Sequence, residues 1–188
     1  GVVGNLSYQF APSHRLSLEN FYSHSGRDEG RYFEGPNTEN SRYYRNYRVQ
    51  FIEEGLLSNT VSGEHFFQGW NSSRIDWRVT YAQATRDEPD LRETLYEASL
   101  SSSTLQPTSD FTLADESQSG FRMFNELNDD TVDAEANWSV FSAASGRPTQ
   151  IKFGAAYVDR SRDFQSRRFR YVPVVLNKTD PPRVQFDA

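Results

Sequence analysis

The chain has 188 residues, 36% of them hydrophobic, 14% aromatic and 24% charged, with a formal net charge of -6 and a pI near 5.1. No run approaches the roughly 18 to 20 consecutive apolar residues of a membrane-spanning helix, and a mean hydropathy of -0.77 agrees, so a helical membrane protein is excluded. The acidic balance argues against nucleic acid as a partner, and the lack of cysteine removes disulfides and thiolate metal sites.

A transmembrane β-barrel escapes these exclusions, because its strands are apolar only at every second position and average hydropathy hides them. The opening "GVVGNLSYQF" has no basic segment followed by an apolar run, so no signal peptide is read there. Either the protein is not exported or the chain is an internal piece of a longer one.

Alternation and breakers predict six extended segments, at 2 to 11, 14 to 25, 42 to 67, 74 to 87, 119 to 143 and 149 to 172. On the first, Leu6, Tyr8 and Phe10 share a face opposite Asn5, Ser7 and Gln9. The third sets Tyr43, Tyr47, Val49, Phe51, Leu57, Val61 and Phe67 against Arg48, Gln50, Glu54, Ser58, Thr60, Ser62 and Glu64. The fourth, "RIDWRVTY", places Ile75, Trp77, Val79 and Tyr81 opposite Arg74, Asp76, Arg78 and Thr80. The fifth alternates most cleanly, with Val132, Ala134, Ala136, Trp138 and Val140 against Asp133, Glu135, Asn137 and Ser139. The sixth sets Ile151, Phe153, Ala155 and Tyr157 against Lys152, Gly154, Ala156 and Val158.

Short connections are expected at Pro12 and Ser13, at "QGWNSS" (68 to 73) and at "ASGRP" (144 to 148). Long ones are expected over 26 to 41 and 88 to 118, with a third beginning near Pro173. Strict alternation of short and long connections is the rhythm of an up-and-down outer-membrane barrel. Strands this long exceed the range of about 3 to 10 residues usual in globular sheets, and only about 9 to 11 residues are needed to cross a bilayer. Apolar alternation decays away from the short turns, as where Ile75 to Tyr81 gives way to Gln83 and Thr85.

The fold expected is therefore all-β: an antiparallel up-and-down transmembrane β-barrel segment of about six long strands. A one-residue slip would put Arg74, Asp76 and Arg78 into lipid, where a midplane arginine costs about 2 to 4 kcal/mol. Pairing Trp77 with His65 on the outside brings Glu64 opposite Arg78 on the inner wall. In the next hairpin, pairing Ala136 with Tyr157 puts Asp133 near Arg160. Six strands fall short of the about 8 at which single-chain barrels close, so residues 1 to 188 are read as part of one incomplete barrel domain. The ending "RVQFDA" does not finish a strand on an aromatic residue.

The stretch "NSSRIDWRVTYAQATRDEPDLRETLYE" (71 to 97), preceded by "FIEEGLLSNTVSGEHFF" and followed later by "KFGAAYVDRSRDFQSRRFRY" (152 to 171), resembles barrel strands of TonB-dependent outer-membrane receptors. The similarity covers roughly residues 1 to 175. It implies a 22-stranded barrel plugged by an N-terminal domain. It also implies energy-coupled import of a scarce ligand, such as a siderophore, cobalamin or a glycan, across the bacterial outer membrane. The implied partners are outer-membrane lipid and lipopolysaccharide, the ligand at the extracellular loops, and the TonB complex through parts outside this chain. The TonB box and plug are missing from it, so no functional residue is carried over. Asn59 and Gln83 depart from the pattern by falling on the lipid side.

Chemistry is sparse. His14, His24 and His65 lack metal-ligand spacing, and the acidic "ELNDDTVDAE" (126 to 135) lacks the calcium-loop spacing and reads as a hydrated inner wall. No hydrolase, zinc-protease or phosphate-loop motif appears, so neither an enzyme nor a cofactor is expected, and the ligand-binding residues stay unassigned. "RSRDFQSRRFR" (160 to 170) interleaves arginines with Phe164 and Phe169, and reads as a strand top facing lumen or lipopolysaccharide rather than a nucleic-acid groove. Only Lys152 and Lys178 are lysines among the 20 basic side chains, which fits walls where guanidinium forks bridge carboxylates. The N-x-S/T triplets at Asn5, Asn71, Asn137 and Asn177 are read as accidental. The loops "GRDEGRYFEGPNTEN" and 88 to 118 mix rings, carboxylates and arginine suited to a polar ligand. Two rivals stay open: a passive porin-type channel and a soluble carbohydrate-binding β-sandwich.

Overall fold

The computed structural model describes residues 1 to 142, 149 to 174 and 183 to 187. The described residues form eight strands: β1 (Val2–Ala11), β2 (His14–Asn37), β3 (Arg42–Phe67), β4 (Ser73–Ser99), β5 (Thr112–Leu113), β6 (Phe121–Ser142), β7 (Thr149–Val174) and β8 (Arg183–Asp187). They form one antiparallel up-and-down sheet with the path β1-β2-β3-β4-β6-β7-β8, and β5 pairs with β4 off that path. The sheet is not closed, and among the described residues no second sheet packs on it.

Two expectations are corrected. The stretch 26 to 41 is not a long loop: β2 continues to Asn37 and the turn occupies only 38 to 41. Its glycines and charges read as a loop, but nonlocal partners on β3 hold it extended, since Tyr32 packs on Tyr47 and Glu34 accepts from Arg45. Strict alternation of short and long connections fails with it. Second, β4 runs to Ser99 rather than stopping near residue 87. Glu88 bonds Gln50 and Asn125, whereas Asp90 bonds Arg122, so the facing of alternate residues reverses at Pro89. A proline lacks the ladder N–H and is confined to edges and irregularities; here it interrupts the period of two along the strand. The connection expected near Pro173 falls on residues 175 to 182, outside the described ones, since β7 ends at Val174 with Pro173 opposite Val184; β8 adds a further strand to the six expected. The "ASGRP" turn and Asn177 lie outside the described residues.

Contacts divide the chain into two compact units. The first comprises 1 to 25, 54 to 85 and 127 to 163; the second comprises 26 to 53, 86 to 126 and 164 to 188.

In the first unit, β1 and β2 pair with Leu6 opposite Leu18, Tyr8 opposite Leu16 and Ser7 opposite Ser17. The β3–β4 turn carries Asn71 and Ser72 at φ 49°, with Ser73 N–H donating to Trp70 C=O at 3.0 Å. The loop that closes β3 onto β4 spans residues 68 to 72. The register it joins lies two residues from the one expected. Thr60 bonds Thr80 at 2.9 Å, and a Cβ at Gly55 or Gly63 would meet Thr85 or Trp77. Glu64 therefore pairs with Arg74 at 3.5 Å and Arg78 with Glu135 at 3.3 Å, instead of with each other. The β6–β7 register also differs by two: Asp129, not Asp133, takes Arg160, and it takes Arg162 as well. Because a two-residue shift preserves facing, every predicted charge keeps its side while changing its partner.

In the second unit, Gly120 at φ +67° accepts from Tyr171 N–H at 2.6 Å. Any Cβ there would fall 2.5 Å from the Tyr171 carbonyl oxygen, so glycine is required.

Candidate membrane band and polar wall

Alternation gives the first unit two unlike faces. One carries Leu6, Leu18, Val61, Val79, Val132 and Phe153, all more than a third exposed. The other carries the Arg74–Glu64 and Arg78–Glu135 pairs, the Thr60–Thr80 bond, and Asp129 between Arg160 and Arg162. The Asp129 carboxylate is 7% exposed and receives Nε–H from both arginines at 2.8 Å.

Aromatic rings cross the apolar face sideways near the short turns. Phe10 stacks on His14 at 5.4 Å, His14 meets His65 at 5.3 Å and Phe67 at 5.2 Å, and Phe67 meets Trp70 at 6.1 Å. Trp70 then stacks on Trp138 at 5.4 Å, and Trp138 meets Phe153 at 6.0 Å. The row thus links β1, β2, β3, the β3–β4 turn, β6 and β7. Trp77 of β4 joins through its indole N–H, which donates to His65 Nε2 at 3.1 Å. A second row stands farther along, at equal spacings from the strand ends: His14 to Tyr22, Ser73 to Tyr81 and Thr149 to Tyr157. At about 3.3 Å per residue those spacings give about 26 Å along each strand, or about 19 Å of height at the tilt of about 45° that a membrane barrel would have. At that level the face turns polar: Tyr81 O–H donates to Asp130 at 2.7 Å, and Gln83 donates to Asn128 at 3.3 Å. Rings with polar tips bracketing an aliphatic band match the interfacial girdles of membrane barrels.

The histidines lack ligand spacing in the sequence, yet His14 and His65 approach Nδ1 to Nδ1 at 3.2 Å because the β2–β3 pairing closes a separation of 51 residues. Only the strand register could have revealed this. His24 lies elsewhere, near Gly55. Among the described residues no group of three or more His, Asp or Glu is arranged for a metal. The acidic stretch is spent on cross-strand partners: Asn128, Asp129, Asp130 and Glu135 each bond a neighbouring strand.

In the second unit a ladder of polar side chains crosses five strands. Asn46 donates to Glu93 at 3.0 Å, and Arg31 and Arg48 stand 3.9 and 4.0 Å from the same carboxylate. Arg48 also donates to Gln50, and Gln50 donates to Glu88. Glu88 receives Asn125 at 2.6 Å, and Asn125 in turn accepts from Ser166 at 2.7 Å. Glu88 is 4% exposed and Glu93 8%. Asn46 Oδ1 and Arg48 Nε are buried without a protein partner, an arrangement that leaves hydrogen-bonding capacity in the wall. Glu88 and Glu93 fall in the stretch that the sequence presents as a loop, and the structure places both in β4. The buried Leu91 and Leu95 around Glu93 were the available signal, an alternation restarting after Pro89.

Elsewhere in this unit Asp90 is held at about 2, chiefly by the bidentate Arg122 guanidinium, which donates at 2.9 and 2.8 Å, and secondarily by Arg92. Arg168 lies over Phe121 at 4.5 Å and donates to Ser117 C=O, while Arg170 pairs with Asp115 at 3.0 Å. The arginine-rich stretch thus serves several separate partners rather than one groove.

No family model matches the chain, and no curated protein matches it either.

Proposed function

We propose that this chain forms part of an outer-membrane β-barrel for ligand uptake, working by binding and gating rather than by bond chemistry. The observation carrying the reading is the uncovered aliphatic face of the first unit, bracketed by two aromatic rows and backed by an ionic face. An apolar face without a covering layer is costly in water and favourable against acyl chains, and ionic side chains are tolerated only where water reaches them. The energy-coupled, TonB-dependent form of the reading rests on the strand resemblance alone. A soluble sandwich lacks support among the described residues, whose strands all belong to one sheet.

The test uses the full-length protein in phospholipid vesicles. Bromine on the acyl chains should quench Trp77 and Trp138 strongly, while aqueous acrylamide should quench them weakly. The reverse order would refute the membrane reading. A planar-bilayer recording then separates importer from porin: an importer is closed at rest and its uptake stops when the proton gradient collapses, whereas steady conductance marks the passive channel.

A further inference from the structure

An aromatic cleft in the second unit belongs neither to the membrane band nor to the polar ladder. It is a cavity of about 440 Å³ lined by Arg45, Tyr47, Thr94, Tyr96 and Phe111, within the range of about 300 to 1,000 Å³ typical of small-ligand sites. Three separate parts of the chain build it. β3 supplies Arg45 and Tyr47, and the part of β4 beyond Pro89 supplies Thr94 and Tyr96. The β4–β6 connection supplies Phe111, held near β4 by the pairing of Thr112 and Leu113 with Glu97 and Tyr96. Tyr32 extends the ring surface against Tyr47 at 4.9 Å, and Tyr43 meets Phe111 at 6.1 Å. Tyr32 and Tyr47 are 52% and 45% exposed, so rings of a size normally kept from water are left open to it.

Three features define what would fit. The cleft offers no free charge: its cation, Arg45, donates Nε–H to Glu34 at 2.9 Å and lies 4.0 Å over the Phe111 ring. An anion would have to compete with Glu34 for that guanidinium. Next, the rings stand at steep mutual angles, 83° for Tyr47 and Tyr96, 74° for Tyr43 and Phe111, and 45° for Tyr32 and Tyr47. No parallel pair forms a slot for a flat aromatic guest; single ring faces are presented around a hollow. Finally, the rims carry hydroxyls at Tyr47, Tyr96 and Thr94, and guanidinium N–H groups beyond the one used by Glu34.

A neutral pyranose matches all three, with C–H groups on its faces, hydroxyls around its edge and no charge. We propose that this cleft binds a neutral saccharide ring, stacked on Tyr47 or Tyr96 and hydrogen-bonded at its rim through Thr94 and Arg45. Weak C–H contacts to a ring face and edge hydrogen bonds are individually small and sum over one sugar unit. The sugar is either a free neutral oligosaccharide or a neutral hexose of the outer core of lipopolysaccharide, which share this chemistry.

The full-length protein in detergent would be applied to an array of neutral and acidic glycans, and separately to rough lipopolysaccharide and to lipid A without core sugars. Binding to neutral glycans, to core-bearing lipopolysaccharide or to both is expected, with affinity about tenfold weaker in Tyr47→Ala and in Tyr96→Ala. Arg45→Gln, which keeps a hydrogen-bonding tip, should lose less. Far-UV circular dichroism identifies any variant that fails to fold, and the two tyrosine variants back each other. Binding only to acidic glycans or to lipid A, no saccharide binding at all, or unchanged affinity in both folded tyrosine variants would overturn the proposal. It is independent of the membrane reading: reversed tryptophan quenching would defeat uptake and leave the saccharide site standing.

Discussion

Replacing Val79 by arginine would place a charge in the middle of the apolar face. Val79 lies between Trp77 and Tyr81, beside Val61, and is 45% exposed in the sheet. From Ser73, the start of β4, the rise of about 3.3 Å per residue at a barrel tilt of about 45° puts Val79 about 14 Å above the turn, inside the band and about 5 Å below the Tyr81 row. Arginine costs about 2 to 4 kcal/mol at a midplane and about 0 to 1 kcal/mol near an interface, so about 1 to 3 kcal/mol at that depth. With a urea slope of about 2 kcal/mol per molar, the unfolding midpoint of the full-length protein in vesicles should fall by about 0.5 to 1.5 M. Thr80→Arg, one residue on and facing the ionic side, should cost about 1 kcal/mol, mostly through loss of the Thr60 bond. If water bathes the Val79 face, the arginine is a surface substitution worth less than about 0.5 kcal/mol. Equal midpoints for Val79→Arg and the parent protein would therefore refute the assignment of that face to lipid.

Other substitutions probe the packing and the ladder. A Cβ at Gly63 would lie 2.4 Å from Trp77 Nε1, so Gly63→Ala should displace the indole from His65, cost about 1 to 3 kcal/mol and shift the tryptophan emission maximum. Glu88→Ala leaves the amides of Gln50 and Asn125 without their acceptor and should cost about 2 to 4 kcal/mol in urea unfolding. Glu64→Ala, where both partners are about half exposed, should cost less than about 0.5 kcal/mol. For Asp90, the folded carboxylate sits at about 2, below its ordinary 3.8, so its stabilisation is complete at neutral pH. That contribution falls away between about pH 4 and pH 2, and solvent screening limits it to about 1 kcal/mol. Asp90→Asn should flatten the acid limb of a thermal melting profile over that window, and an unchanged acid limb would argue against the Arg122 pair as its source.

Sequence and tertiary structure divided the work along a clear physical line. The residues alone determined that this is an all-β chain of long antiparallel strands. They also determined which side chains share a face, since a side chain's side follows from the period of two and needs no knowledge of the partner. Trp77, Val79, Trp138 and Phe153 could be placed together on that basis. Register was beyond reach, because a shift of two preserves every facing; only the β3–β4 pairing that sets Thr60 against Thr80 decided that Glu64 meets Arg74. Strand ends were equally hidden. Residues 26 to 37 resembled a loop until Tyr47 and Arg45 were seen to hold them, and Pro89 erased a period that resumes with the opposite phase. The His14–His65 contact, the Glu88 and Glu93 ladder and the Arg45 cleft each join residues far apart in the chain, and such neighbours are set by pairing that composition and local pattern do not encode.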